Sequence, residues 1–284
     1  MSNITREQLN AWARELDLDL VGVAAPERFR AVAPPHNPLA IMPEARAIIV
    51  FAREIPRSYF RGIEEGTLWM RVNRYLPPKP NYYLCRRIED HGFLAVPCSL
   101  LSPARWPDGV TSAPDKPAPN VAPDVRAAAQ LAGLGEIGFN GAFLTPSFGV
   151  RQALGMLITD APFDHDTPFP SGRICDRGQC RACVDACPNG ALSADAVEMP
   201  VGDQTIRVGR YTVESCRFCQ NGACPDTSCA TAEPNRLAAA CARACLACLE
   251  DGGQVKTAYR QPFRRRAPWS LRNFESTCSS KATD

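Results

Sequence analysis

Residues 174–191 read ICDRGQCRACVDACPNGA, with four cysteines in thirteen residues and a proline directly after the last. This stretch restricts the chain's chemistry more than any other. Cys180, Cys183 and Cys187 stand in CxxCxxxCP, the bacterial ferredoxin run, in which thiolates on a tight loop wrap a [4Fe–4S] cluster. In two-cluster proteins the cysteine before the proline ligates the other cluster, so a second cysteine set is expected downstream. Cys175 lies five residues before Cys180, giving Cx4C where the usual run has CxxC, so the first loop is enlarged by two residues. Structural zinc would also accept four clustered thiolates, but zinc sites usually pair two CxxC knuckles across a longer spacer.

The chain holds fourteen cysteines, eleven of them from Cys175 to Cys248, so it reads as two parts. A disulfide framework fits small secreted domains better than a chain of 284 residues. Two stretches compete to supply the second set. SCRFCQNGACPDTSCA carries Cys216, Cys219, Cys224 and Cys229, and CARACLAC carries Cys241, Cys245 and Cys248. Residues 235–250 read as helix, on which 241, 245 and 248 are i, i+4 and i+7 and share one face. The plain alternative is small buried cysteines alternating with alanine in a packed helix. CxxxCxxC is also the spacing of radical S-adenosylmethionine enzymes, but those motifs precede most of a barrel, and only 36 residues follow Cys248. Cys219, Cys224 and Cys229 read as a third site or as thiols without a ligand role.

A formal net charge of +2 with 22% charged residues gives no polyelectrolyte signal, and basic patches with interleaved aromatics are missing, so nucleic acid is not expected as a partner. The first residues show no secretory pattern and no stretch reaches membrane-spanning length, so a cytoplasmic protein without membrane contact is expected. Thr5 and Gln8 form a capping-box pair ahead of an amphipathic helix over 5–17. LVGVA and AIIVFA read as neighbouring strands, 81–96 as a helix ended by Gly92 and then a strand, and 102–123 as a long irregular segment. Asp124 caps an alanine-rich helix closed by Gly133, and GLGEIGFNGAFLTPSFG leads to a strand around GMLITD. Gly133, Gly135, Gly138 and Gly141 serve either a close backbone approach to a ligand or ordinary turns. GLGEIG follows a helix instead of opening one after a strand, which argues against a dinucleotide site.

Taken in order, WARELDLDLVGVA, PEARAIIVFA and above all AAAQLAGLGEIGFNGAFLTPSFGVRQALGMLITD, leading into the ferredoxin run, resemble the corrinoid-dependent reductases that include epoxyqueuosine reductase and the reductive dehalogenases. The resemblance covers nearly all of residues 5–250. It implies an α/β (α+β) nitroreductase-like core over 1–170, a two-[4Fe–4S] ferredoxin-like domain over 171–252 and a C-terminal tail over 253–284. It turns the glycine-rich segment into a cofactor wall, with Gly135, Gly138 and Asn140 facing cobalamin. It also keeps Cys216 as a ligand, since an isolated cysteine precedes a terminal group of three in epoxyqueuosine reductase. By the same analogy Cys175, Cys180, Cys183 and Cys248 bind one cluster, and Cys187, Cys216, Cys241 and Cys245 the other.

The chain departs from the family in spacing its terminal group CxxxCxxC. It also lacks a segment matching the C-terminal helical-repeat domain that helps epoxyqueuosine reductase hold tRNA. The basic triplet in RQPFRRRAPW reads as a solvated charge run. An acidic proton donor has two candidates, Asp115 and Asp124, the second more simply a helix cap. No Asp-x-His-x-x-Gly signature for cobalt ligation is present, which suits a family that leaves the lower cobalt face without histidine. The reading that follows is an iron–sulfur oxidoreductase passing electrons from two clusters to a corrinoid or a substrate in the core. Its substrate would be a small molecule or a modified base, and its electron donor is unidentified. The alternative is an electron-transfer or reductive-activation protein that serves a partner redox or corrinoid protein and does no substrate chemistry of its own.

Overall fold

The computed structural model describes residues 4–64, 80–98, 121–217, 219, 236 and 239–256. Helix α1, Arg6–Glu15, starts where Thr5 and Gln8 complete the capping box: the Gln8 backbone N–H donates to Thr5 Oγ1, and the Thr5 N–H to Gln8 Oε1. Its apolar face, Leu9, Trp12 and Ala13, is buried. Strand β1, Leu20–Ala24, then pairs antiparallel with β2, Ala47–Glu54, as the two apolar runs suggested.

Helices α2, Arg57–Glu64, and α3, Pro80–Glu89, precede the short strand β3, Ala95–Pro97. Helix α4, Val125–Leu131, begins at Asp124 and stops before Gly133, whose φ of +78° suits glycine. The glycine-rich segment forms a small hairpin of β4, Glu136–Ile137, and β5, Phe143–Leu144. Strand β6, Gln152–Thr159, returns to the main sheet and lies between β2 and β3, in the order β1-β2-β6-β3.

Side chains alternate across β2 with the period of two that a pleated strand imposes. Ile49 and Phe51 face α1 and α3, while Ile48 and Val50 face α4. Each such buried side chain contributes about 1.5–3 kcal/mol. The sheet is thus covered on both faces. The outer cover on the α4 side is a long hairpin of β7, Leu192–Val201, and β8, Gln204–Tyr211, whose Val201, Ile206 and Val208 enter the same core as α4.

Three helices carry five of the clustered cysteines: α5, Ala182–Asp185, holds Cys183, α6, Val213–Arg217, holds Cys216, and α7, Ala240–Asp251, holds Cys241, Cys245 and Cys248. Helix α7 buries Ala242, Leu246 and Leu249 against Ile55, Phe60, Leu144 and Val150 of the core. An Arg57 to Glu250 ion pair of 2.8 Å, largely shielded from water, ties α7 to α2. The helix expected over 235–250 begins later, at Ala240. Asp115, Cys224, Cys229, Cys278, the basic triplet and most of the irregular segment lie outside the described residues. Among the described residues no helix is long and apolar enough to cross a membrane. Cys85 and Cys98 are core side chains; burial pushes their thiols up to about 11 and about 12.

Candidate metal centre and cavity

The loop that carries Cys175 hangs from one carboxylate. Glu136, in the GLGEIG turn, is fully buried and accepts backbone N–H bonds from Gly172 at 2.5 Å, Ile174 at 2.5 Å and Cys175 at 2.8 Å. Arg177 adds a guanidinium 3.2 Å away, so the buried charge is both paired and hydrogen-bonded. Two residues beyond Ile137, the Phe139 N–H donates to the Cys175 sulfur at 3.4 Å. The glycine-rich segment therefore positions the cysteine loop and places a donor on its first sulfur. Sequence reading saw the glycines there and passed over the acid between them.

Helix α7 sorts the thiols into two groups. Its Cys245 has Cys183, Cys175, Cys180 and Cys248 around it, and Cys180 and Cys248 stand sulfur to sulfur at 3.6 Å. One turn earlier Cys241 lies near Cys216, Cys187 and Cys219, and Cys183 packs in the same cluster. The first group lies closer to solvent, with Cys175, Cys180, Cys245 and Cys248 half-buried and Cys183 buried. In the second, Cys216, Cys219 and Cys241 are buried and Cys187 is half-buried. Cys245 thus lies near Cys175, Cys180 and Cys183, and Cys219, which the resemblance leaves without a role, lies near Cys216 and Cys241.

Burial is the leading influence on these thiols. It pushes Cys183 up to about 12 and Cys241 up to about 11, and it raises Cys175, Cys216 and Cys245 as well. Buried sulfur of this kind becomes thiolate readily only when a metal supplies the compensating charge. Among the described residues no three His, Cys, Asp or Glu side chains are arranged around a single ion position. A four-iron cube takes one thiolate on each iron and so spaces its ligands more widely than one ion does. A clustered set of thiols fits iron–sulfur clusters in the chemistry of its donors.

Beside the second group opens a cavity of about 560 Å³ between α4 and the β7–β8 hairpin. Its walls are mainly apolar, with Asn140, Asp124, Arg126, Tyr211 and Arg236 as the convergent polar groups. The Arg236 guanidinium stacks 4.0 Å from the centre of the Tyr211 ring and donates to the Asn140 carbonyl at 3.2 Å. The same two residues reach the thiols: a Tyr211 hydrogen bond and the Arg236 charge both oppose the upward push of burial on Cys216. One aromatic–cation pair thus lines the cavity and opposes the upward push of burial on Cys216. Neither residue was singled out from the sequence.

The three positions that the resemblance assigns to cofactor fall differently. A Cβ on Gly135 would lie 1.9 Å from the Leu144 carbonyl, and one on Gly138 2.9 Å from the Leu144 side chain, so close packing of β4 on β5 accounts for both glycines. Asn140 does line the cavity. Asp124 is the α4 cap, accepting from the Arg126 N–H, and is paired with the Arg126 side chain at 2.7 Å. Burial alone would raise Asp124, but the charge and hydrogen bonds of Arg126 outweigh it and hold the carboxyl below its ordinary value. That carboxylate is a poor proton donor near neutral pH.

This architecture is shared with solved reductive dehalogenases. A catabolic reductive dehalogenase superposes with a TM-score of 0.52 at 18% identity, over 94% of this chain and 41% of its own. A second, described by a mechanism for B12-dependent dehalogenation, gives 0.52 at 17% identity, over 95% and 42%. The curated relatives carry the other name. Epoxyqueuosine reductase of Bacillus anthracis is 42% identical over 67 residues, 24% of this chain and 17% of that protein, and its Synechococcus counterpart 41% over 90 residues, 32% and 26%. No family model matches. The similarity to the epoxyqueuosine reductase and reductive dehalogenase-like family expected from the sequence is therefore shown, while the matched segment spans about a sixth of the first relative. One solved epoxyqueuosine reductase holds an epoxyqueuosine-modified tRNA stem loop. The expectation that nucleic acid is not a partner draws no support from these comparisons.

Proposed function

We propose that the chain is an iron–sulfur reductase of the epoxyqueuosine reductase-like kind, in which two [4Fe–4S] clusters occupy the two thiol groups and reduction takes place in the cavity beside the second. The observation that carries this is the shared wall: Tyr211 and Arg236 line a cavity of about 560 Å³ and also act on Cys216. That volume lies in the range of about 300–1,000 Å³ typical of small-molecule sites. Residues 1–170 then form a nitroreductase-like core, 171–252 a ferredoxin-like unit and 253–284 a tail. A protein that only relayed electrons to a partner would have no use for an apolar cavity against its buried thiol group.

When bound, the clusters supply single electrons at low potential. The chain's own residues do the rest. Glu136 holds the outer cysteine loop, and Arg236 and Asn140 present polar groups to the substrate. Val197, Met199 and Leu131 exclude water. The more exposed first group is where electrons enter from a donor protein, and the second is where they leave.

The dehalogenase described as B12-dependent makes a corrinoid the cofactor to test here. The described walls do not by themselves fit one, since Gly135 and Gly138 are taken up by Leu144 and Asn140 alone of the three reaches the cavity. The test uses anaerobic, chemically reduced full-length protein with an epoxyqueuosine-containing tRNA stem loop and, separately, with halogenated aromatic acids, with and without added cobalamin. Mass spectrometry should show one reduced product that is lost in Arg236→Ala. No turnover of either class, with electrons passing instead to an added redox protein, would return the reading to electron transfer.

A further inference from the structure

Gly133, Gly135, Gly138 and Gly141 stand close together in the chain, and packing accounts for the first three. Gly133 turns the chain after α4 at a φ of +78°, and Gly135 and Gly138 pack against Leu144. Gly141 is different. Among the described residues beyond its chain neighbours, a Cβ there would meet only two heavy atoms within 4 Å, Arg126 Nη1 at 3.6 Å and Arg236 Nη2 at 3.7 Å. All three residues line the cavity between α4 and the β7–β8 hairpin. The glycine therefore leaves an open point on which two guanidiniums converge.

Other bonds fix each guanidinium in place. Arg126 donates to both oxygens of Asp124, from Nε at 3.0 Å and from Nη2 at 2.7 Å, and its Nη1 donates to the Gly141 carbonyl at 2.9 Å. Arg236 lies over the Tyr211 ring at 4.0 Å and donates from Nη1 to the Asn140 carbonyl at 3.2 Å. Asp124 is the single carboxylate in the described wall, and Arg126 takes both of its oxygens. Two cations thus stand with one anion in a half-buried wall, where charges are screened less than at the surface. Their convergence on one point is favourable when an anion enters between them.

We propose that Gly141, Arg126 and Arg236 anchor a carboxylate carried by an otherwise apolar small molecule. A carboxylate carbon at the open point brings one oxygen within charge-assisted hydrogen-bond reach, about 2.7–2.9 Å, of each guanidinium. The apolar body lies against Val32, Leu131, Val197 and Met199, which line the same cavity. The wall's excess of one positive charge matches a singly charged carboxylate, whereas a phosphate monoester carries about −1.5 to −2. The absence of a Cβ keeps the place open, which gives Gly141 a use beyond its left-handed turn. The inference rests on the cavity being the substrate site and adds the class of molecule it takes.

Isothermal titration calorimetry on the anaerobically purified full chain tests this with no electron supply, using naphthoate, the uncharged naphthamide of the same ring isomer, and naphthyl phosphate. Naphthoate is expected to bind about 10–100-fold tighter than naphthamide. That preference should vanish in Arg236→Gln, persist in part in Arg236→Lys, and vanish in Gly141→Ala, whose methyl fills the open point. Gly141→Ala leaves the Arg236 charge beside Cys216 in place, so it separates a ligand anchor from a guanidinium that serves the thiols alone. If Arg236→Gln does not fold, Gly141→Ala decides.

Equal affinity for naphthoate and naphthamide, a preference that survives in Gly141→Ala, or no binding of any of the three would overturn the anchor. Naphthyl phosphate binding more than about tenfold tighter than naphthoate would overturn the choice of a carboxylate. The full preference in a protein that reduces no substrate would support the anchor and overturn reduction in the cavity. Turnover in the cavity without the preference would do the reverse.

Discussion

The two thiol groups sit within one turn of each other on α7, yet they are built in different ways. The first hangs on a loop whose backbone is gathered by Glu136, and four of its five thiols are half-buried. The second is walled by α6, α7 and the end of β8, and it shares Tyr211 and Arg236 with a cavity. The same element, a helix with one thiol-bearing face, thus carries thiols nearer solvent and thiols beside the cavity. In the proposed function, the outer group faces the electron donor and the inner group the substrate.

The sharpest way to break the contrast is at Glu136. Glu136→Ala removes the acceptor of three backbone N–H groups and leaves Arg177 without its acid, and breaking a buried pair costs about 3–5 kcal/mol. Chemical denaturation should show that loss, and iron should drop from the outer group while the inner signal persists. Equal loss from both groups would mean that they are not separate sites.

The inner side is tested by Tyr211→Phe and Arg236→Ala. Both should keep iron near the wild-type level while turnover in the cavity falls by about 10–100-fold, the usual cost of removing a group that supports a metal site. Parallel loss of iron and turnover would reduce the pair to a structural role.

Much of this architecture can be read from the chain before any coordinates. The Thr5 and Asp124 caps, the pairing of LVGVA with AIIVFA and a helix over Cys241, Cys245 and Cys248 are local patterns, and the structure has each of them. What was hidden depends on contacts between distant segments. Glu136 lies inside a glycine motif, and its partners are 36 to 41 residues further on. Tyr211 and Arg236 meet only because β8 and the approach to α7 converge on Cys216. Membership of a thiol in one group or the other is set by which turn of α7 faces which loop, and spacing carries no record of that. The β7–β8 hairpin did leave a signal, a Gly202-Asp203 turn between two runs with alternating polarity, which went unused.

A smaller effect is expected at the cavity rim. Asp124→Asn keeps a side chain able to cap α4 but removes the charge paired with Arg126, for about 1 kcal/mol. The native carboxyl titrates below its ordinary value of 3.8, so its contribution is present above that pH and is lost as pH falls through the lower native value. Melting curves of wild type and Asp124→Asn should therefore differ near neutrality and converge in acid. Equal separation at both extremes would contradict the ionised pair. Smaller still is Gly141→Ala. Its φ of +74° disfavours a side chain by about 1–2 kcal/mol, while the nearest atoms, on Arg126 and Arg236, lie 3.6 and 3.7 Å from the new Cβ. Thermal melting should register the strain and iron content should not change.

The most direct test of the central claim is iron, acid-labile sulfide and zinc analysis of one anaerobically purified sample of the full chain. Two clusters predict brown protein with about eight iron and eight sulfide per chain. Colourless protein containing zinc and no sulfide would contradict it.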